Sequence, residues 1–135
     1  MSSANPYYYV LQHGTTRRRA DLIRAVGPDP DYREPGANTR PDRQFWTVDR
    51  DHPSARLPLG DPERYARRKA VSSGEGGPAI VEVEVPDWIV QLVLNDRIGL
   101  FHYQSGAVCF EFGCGLDELI NEWPNLVVRV RDVTP

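Results

Sequence analysis

The feature that most constrains the fold is the run Ala-Ile-Val-Glu-Val-Glu-Val at residues 79–85. Apolar residues stand at 79, 81, 83 and 85, and glutamates stand at 82 and 84. Because successive side chains of a β-strand point to opposite faces of a sheet, this period of two predicts a strand with one buried and one solvated face. Strands of a parallel doubly wound sheet are covered on both faces, so the run favours a largely antiparallel sheet.

The other segments alternate between strand-like and helix-like patterns. Further strands are predicted over about 7–13, 44–48, 107–112 and 126–133, and helices over about 16–26, 61–73, 87–95 and 116–122. The polar, proline-bearing segments 28–43 and 49–60 are predicted to be loops. This order predicts an α+β fold with a split, largely antiparallel sheet and short helices, in a single domain that spans residues 1–135.

Composition and charge restrict the class of protein. The chain of 135 residues is 40% hydrophobic and 26% charged, which is ordinary for a soluble globular protein. It contains no segment approaching the ~20 apolar residues of a membrane span, and its N-terminus lacks the pattern of a secretory signal, so we expect a cytoplasmic protein. The net charge of -3 argues against a broad surface for DNA or RNA.

The two cysteines, Cys109 and Cys114, stand five residues apart. They cannot complete a four-ligand zinc site without histidines from elsewhere in the chain. Since disulfides are rare in the cytoplasm, two half-buried free thiols are favoured over a disulfide. The sequence therefore predicts no metal site and no disulfide.

A histidine and a glycine follow the first predicted strand, as His13-Gly14-Thr15. We predict that the strand ends at His13 and that Thr15 or Thr16 caps the next helix. Gly14 suits the close approach of a ligand to the backbone, because no side chain shields its amide or carbonyl, and it suits a simple turn equally well. The motif is thus either part of a binding site or a turn.

Three consecutive arginines, Arg17–Arg19, begin the first helix. Basic residues in a first helical turn oppose the helix dipole and cost roughly a few tenths of a kcal/mol each. Since the free amides of a helix N-terminus attract anions, a small phosphate site is one interpretation. The alternative is a set of solvated arginines that pair with Asp21 or Glu34.

Three further residues could carry chemistry. Glu111 stands in the strand 107–112 between two phenylalanines, and the alternative to a catalytic role is a solvated glutamate on an amphipathic strand. Phe45 and Tyr65 could stack on a flat ring, although aromatic residues on inner faces more often belong to the core. In the helix 61–73, the inner stripe consists of Tyr65, Ala66, Lys69 and Ala70.

Taken in order, these elements resemble the ADP-ribosyltransferase superfamily, in particular its branch with a His-Tyr-Glu triad. The RNA 2′-phosphotransferases share that fold. The resemblance covers nearly the whole chain, and the His-Gly-Thr element is its most specific part. It rests on the strand and helix around His13-Gly14-Thr15, on Phe45-Trp46-Thr47, on the helical Tyr65, on the strand that ends at Pro86 and on Glu111.

The resemblance implies a fold that holds NAD, as a substrate, in a bent shape between the two halves of a split sheet. It implies that His13 hydrogen-bonds the nicotinamide ribose, that the Gly14 backbone binds the carboxamide and that Glu111 stabilises the oxocarbenium-like centre as nicotinamide leaves. Phe45 and Tyr65 would sandwich the nicotinamide ring. The implied catalytic residues are His13, Tyr65 and Glu111, and the implied NAD contacts are His13, Gly14, Thr15, Arg17, Arg18, Phe45, Trp46, Thr47 and Tyr65.

Three departures from the family pattern bear on the substrate. Phe45 lacks the hydroxyl of the usual tyrosine, and Cys109 replaces the second Glu or Gln that arginine-modifying members carry two residues before the catalytic glutamate. The segment 49–60 is longer than the usual connection. Three hypotheses follow: an NAD-dependent ADP-ribosyltransferase or NAD glycohydrolase with an unspecified acceptor, an RNA 2′-phosphotransferase-like enzyme, and a non-catalytic module that binds NAD, ADP-ribose or a protein.

Overall fold

The computed structural model describes residues 8–29, 43–48, 62–95 and 107–135. It confirms the α+β architecture with a largely antiparallel sheet. Most of the predicted loops at 28–43 and 49–60 lie outside the described residues. The elements are β1 (Tyr8–Thr16), α1 (Arg17–Val26), β2 (Arg43–Val48), α2 (Pro62–Ser73), β3 (Pro78–Pro86), α3 (Asp87–Leu94), β4 (Ala107–Glu111), α4 (Leu116–Glu122), a 3-10 helix (Trp123–Asn125) and β5 (Val128–Asp132).

The strands form one antiparallel sheet in the order β4-β2-β1-β3-β5. β1 pairs with β3 along its whole length, from Tyr8 to Thr16. Among the described residues, the ladder between β1 and β2 contains the pairs Leu11↔Val48 and Gln12↔Thr47, and none of residues 13–16 pairs with residues 43–46. The β4-β2 part and the β1-β3-β5 part of this one sheet therefore separate along the second half of β1.

The main core lies on one face of the sheet. β1 and β3 contribute alternate residues to it, for example Leu11, which is fully buried and pairs with Val83. Burial of one such side chain contributes about 1.5–3 kcal/mol, so this face provides most of the hydrophobic stabilisation. Three helices cover the face with the buried residues Ala20 and Ile23 of α1, Ile89, Val90 and Val93 of α3, and Leu116 and Leu119 of α4.

The opposite face of the sheet packs against α2, and there Ala66 forms a second, smaller core with Ile80 and Val133. The predicted solvation of the β3 glutamates on this face is wrong for Glu84, which is only 5% exposed. Arg129 of the neighbouring β5 explains the difference, since its guanidinium lies 3.0 Å from Glu82 and 3.2 Å from Glu84. The hydrogen bond to Glu82, and then the contacts with Glu84, raise the pKa of Arg129.

The structure also corrects the end of the first strand. β1 continues past His13, because the residues from His13 to Thr16 all pair with β3. Thr16 is the N-cap of α1, as predicted, and its Oγ1 accepts a hydrogen bond from the Arg19 amide at 3.4 Å. The His-Gly-Thr motif is therefore part of a strand, and it is not a turn.

Candidate functional site

The two halves of the sheet separate beyond the pair of Gln12 and Thr47. Thr47 Oγ1 donates a hydrogen bond to the Gln12 carbonyl at 3.0 Å, so this carbonyl points toward β2. Backbone groups two residues apart on a strand point the same way, and the Gly14 carbonyl therefore also points toward β2. No described residue of β2 pairs with Gly14. We call this gap, bounded by residues 13–16 of β1 and residues 43–46 of β2, the β1–β2 cleft.

His13 and Trp46 form the closed end of the cleft. Their ring centroids lie 5.0 Å apart, with the planes inclined by 35°. Trp46 is fully buried and also packs against Trp123, at 6.1 Å between centroids. Alternation along β1 places His13 on the same face of the sheet as Leu11, which is the face of the main core. Aromatic packing thus fixes the imidazole at the point where β1 and β2 part.

The indole N–H of Trp46 is a buried donor. Within the part of the chain that the structure describes, Nε1 has no hydrogen-bond acceptor. The indole of Trp123, in contrast, donates to the Arg24 carbonyl at 3.2 Å. An unsatisfied buried donor costs about 1–3 kcal/mol of folding free energy.

Helix α2 packs directly over Gly14. A β-carbon at residue 14 would overlap the Pro62 carbonyl oxygen and would lie 2.9 Å from the Ala66 amide nitrogen. One turn further along the helix, Lys69 Nζ donates a hydrogen bond to the Gly14 carbonyl oxygen at 2.8 Å. Close packing of the helix therefore requires the glycine. The carbonyl oxygen of the glycine already accepts a hydrogen bond from the Lys69 ammonium.

Tyr65 belongs to the same inner stripe of α2 as Ala66 and Lys69. Its side chain is half-buried, and the Arg68 guanidinium carbon lies 5.3 Å from the centre of its ring. The sequence placed both Tyr65 and Lys69 on this stripe but gave no role to Lys69. Its partner, the carbonyl of residue 14, is 55 positions away, and no local signal identifies that contact.

Glu111 ends β4, where it pairs with Arg43 at the end of β2 remote from the junction with β1. Alternation along β2 and β4 places Glu111 on the face of Thr47 and Gln12, which is the face that α2 covers. His13 lies on the other face. The structure thus brings Gly14 and Lys69 into contact, and it places the side chains of His13 and Glu111 on opposite faces of the sheet.

The amides at the start of α1 have partners within the protein. The first three, those of residues 17–19, donate to the Gly77 carbonyl at 2.8 Å, the Glu75 carbonyl at 3.4 Å and Thr16 Oγ1 at 3.4 Å. The turn before β3 therefore covers the helix N-terminus. The anion site that the sequence suggested would need these same amides.

The arginine side chains of α1 are engaged as well. The Arg17 guanidinium lies 3.2 Å from Asp21 and 3.2 Å from Asp132. Its hydrogen bond to Asp21, followed by that to Asp132, raises its pKa. Arg19 is only 8% exposed. Arg17 thus pairs with Asp21, which is the alternative to a phosphate site that the sequence analysis gave.

The other predicted contact residues are placed as follows. Thr15 and Thr47 are buried, and Arg18 is exposed. The backbone of Phe45 pairs with that of Cys109, and the Phe45 side chain lies outside the described residues. The sequence-based set is therefore spread over both faces of the sheet, and Arg17, which contacts Asp132 of β5, does not lie at the β1–β2 cleft.

Both cysteines are thiols, with Cys109 buried and Cys114 half-buried. Among the residues that the structure describes, no group of three or more His, Cys, Asp or Glu side chains is placed to hold a metal ion. None of the described helices has the length and apolar character needed to cross a membrane. Comparisons with protein-family models, with curated proteins and with solved structures gave no match.

Proposed function

We propose that this protein is an NAD-dependent ADP-ribosyltransferase or NAD glycohydrolase that binds the nicotinamide end of NAD in the β1–β2 cleft. The observation that carries the proposal is that the described pairs between β1 and β2 end at Gln12 and Thr47, so that the Gly14 backbone beyond them faces a gap. A cleft between two halves of a sheet is what the resemblance to the ADP-ribosyltransferase superfamily implies for NAD.

The nicotinamide ring would lie beside Gly14 and below α2. The Gly14 carbonyl is an acceptor for the amide N–H of a carboxamide, and the half-buried ring of Tyr65 offers an aromatic surface on the same side. The position of Tyr65 on the helix that packs over Gly14 supports this arrangement. Phe45 remains the proposed second wall of the ring site.

In the proposed reaction, the bond between C1′ of the ribose and the nicotinamide nitrogen breaks. The bonding electrons leave with that nitrogen, so nicotinamide departs as a neutral molecule and positive charge develops on the ribose. The oxygen of water or of an acceptor hydroxyl then bonds to C1′ and releases its proton. A carboxylate stabilises such a developing charge more strongly in a site that excludes water than it would in bulk solvent.

Glu111 is the proposed carboxylate, and His13 is proposed to orient the nicotinamide ribose. Their side chains approach from opposite faces of the sheet, which a ligand lying on one face would not bridge. A ligand that occupies the gap between the two halves of the sheet is accessible from both faces. The proposal therefore requires NAD to lie between β1 and β2.

Nicotinamide release from NAD tests the proposal. We expect the wild type to release nicotinamide, and we expect Glu111→Gln and His13→Ala each to reduce the rate by about 10²-fold through loss of charge stabilisation or of positioning. Glu118→Gln, on α4 and outside the cleft, is the matched control and should keep the wild-type rate. Thermal unfolding of every variant checks the fold. A folded wild type that releases no nicotinamide would refute the enzymatic proposal.

A non-catalytic module that binds NAD or ADP-ribose is the second candidate. It is favoured by the separation of His13 and Glu111 onto opposite faces of the sheet. In that case NAD raises the unfolding temperature of the protein but is recovered unchanged. An RNA 2′-phosphotransferase-like activity has less support, since Arg17 is paired with two aspartates and Arg19 is nearly buried.

A further inference from the structure

We propose that Lys69 determines the ligand specificity of the β1–β2 cleft. Its ammonium donates a hydrogen bond to the Gly14 carbonyl oxygen, so a ligand that needs this acceptor must displace the ammonium. The inference rests on the proposed function, in which Gly14 receives the carboxamide of NAD. It adds a residue that the family resemblance did not supply. It also predicts which ligands the cleft accepts.

The contact between Lys69 and Gly14 is built into the packing of α2. Nζ lies 2.8 Å from the carbonyl oxygen, and the lysine side chain is half-buried. The helix that carries it is held against β1 at Pro62 and Ala66, where residue 14 leaves no room for a β-carbon. The ammonium is thus delivered by a helix in a fixed position to a carbonyl that points into the cleft.

A neutral carboxamide is a poor competitor for this carbonyl. Hydrogen bonds from charged donors are about twice as strong as those between neutral groups. A carboxamide that replaced the ammonium would also leave the charge of Lys69 half-buried without this acceptor. Free nicotinamide brings nothing to compensate for that loss.

A ligand that carries both an amide and an anionic group can compensate for the hydrogen bond that Lys69 loses. Once displaced, the ammonium pairs with the anion, as lysine does with phosphate oxygens in many sites. NAD has such a combination in its carboxamide and its pyrophosphate. The cleft should therefore accept the intact dinucleotide and disfavour the released nicotinamide, which promotes departure of the product.

The test compares two ligands on four proteins by titration calorimetry. The ligands are nicotinamide and carba-NAD, an NAD analogue that cannot be cleaved at the ribose. The proteins are the wild type, Lys69→Met, Lys69→Arg and the control Arg67→Met. Arg67 lies on the same helix and contacts Glu63 and the Thr134 carbonyl, so its replacement removes one positive charge from α2 outside the cleft.

We expect Lys69→Met to bind nicotinamide more tightly and carba-NAD more weakly than the wild type. The preference for carba-NAD over nicotinamide should fall by about tenfold or more, because the variant lacks the charged hydrogen bond that Lys69 makes to Gly14 in the free protein and to the anionic group in the complex. Lys69→Arg should restore the preference because it retains the cation, and Arg67→Met should leave it unchanged. The Gly14 carbonyl carbon should also shift in the NMR spectrum of ligand-free Lys69→Met.

A merely structural role for Lys69 gives a different result. In that case Lys69→Met loses stability but keeps the wild-type preference between the two ligands, and the inference is overturned while the proposed function stands. If none of the four folded proteins binds either ligand, the proposed function fails and the inference fails with it.

Discussion

Gly14 of β1 lies so close to Pro62 of α2 that a β-carbon at residue 14 would overlap the Pro62 carbonyl oxygen. The contact joins the central strand to the helix that carries Tyr65 and Lys69. It makes the glycine a requirement of the fold, whatever ligand the cleft takes. It also fixes the distance at which α2 stands above the cleft.

Gly14→Ala should therefore destabilise the protein by about 1–3 kcal/mol, because α2 must move away from β1. Urea unfolding followed by circular dichroism measures the change. Gly77→Ala is the control, since a β-carbon at residue 77 would meet nothing within 4 Å. Equal stability of the two variants would show that α2 does not pack on Gly14 as described.

Two arginines of β5 provide a second comparison. The side chains of Arg129 and Arg131 are 49% and 48% exposed, but the Glu84 side chain that Arg129 contacts is 7% exposed, whereas the Glu63 side chain that Arg131 contacts is 42% exposed. Arg129→Met should cost about 1–3 kcal/mol because it leaves a buried carboxylate with its cation removed. Arg131→Met should cost less than about 1 kcal/mol, as exposed ion pairs do. Similar losses for both would contradict the burial of Glu84.

The two packed tryptophans should respond differently to loss of their N–H groups. Trp123→Phe removes a hydrogen bond to the Arg24 carbonyl, whereas Trp46→Phe removes a donor that has no acceptor among the described residues. Both lose ring area, so the difference isolates the hydrogen bond. We expect Trp123→Phe to be the less stable variant by about 1 kcal/mol in urea unfolding. The opposite order would indicate that Trp46 Nε1 has a partner in solution.

Arg17 offers a prediction for the start of α1. Because Asp21 and Asp132, its partners, are both exposed, Arg17→Met should have little effect on stability. The amides of this helix end are already bonded within the protein, so the affinity for carba-NAD should not change. A large loss of affinity, measured by calorimetry, would restore the phosphate-site interpretation.

Local patterns were sufficient for most of the elements. The helix over 116–122 has the predicted bounds, the helix from Asp87 to Leu94 is one residue shorter than expected, and Thr16 caps α1. These features depend on periodicity and on capping chemistry within a few residues of sequence. The same local reasoning identified the alternating strand that became β3.

The errors arose where a distant segment determines the outcome. β1 is longer than predicted because β3 provides partners for its last residues, and Glu84 is buried because Arg129 arrives from β5. The start of α1 is covered by the turn before β3, and the carbonyl of Gly14 is bonded by Lys69. The sequence named most residues of the candidate site but not the faces of the sheet on which they lie.

The end of the ladder between β1 and β2 at Gln12 has a consequence for local unfolding. Among the described residues, β2 pairs with β1 at Leu11 and Gln12, whereas β1 and β3 pair from Tyr8 to Thr16. Units with fewer cross-strand hydrogen bonds open at lower free energy. In native-state hydrogen exchange, the amides of β2 should show a lower opening free energy than those that β1 and β3 share. Local unfolding should therefore begin on the β2 side of the cleft.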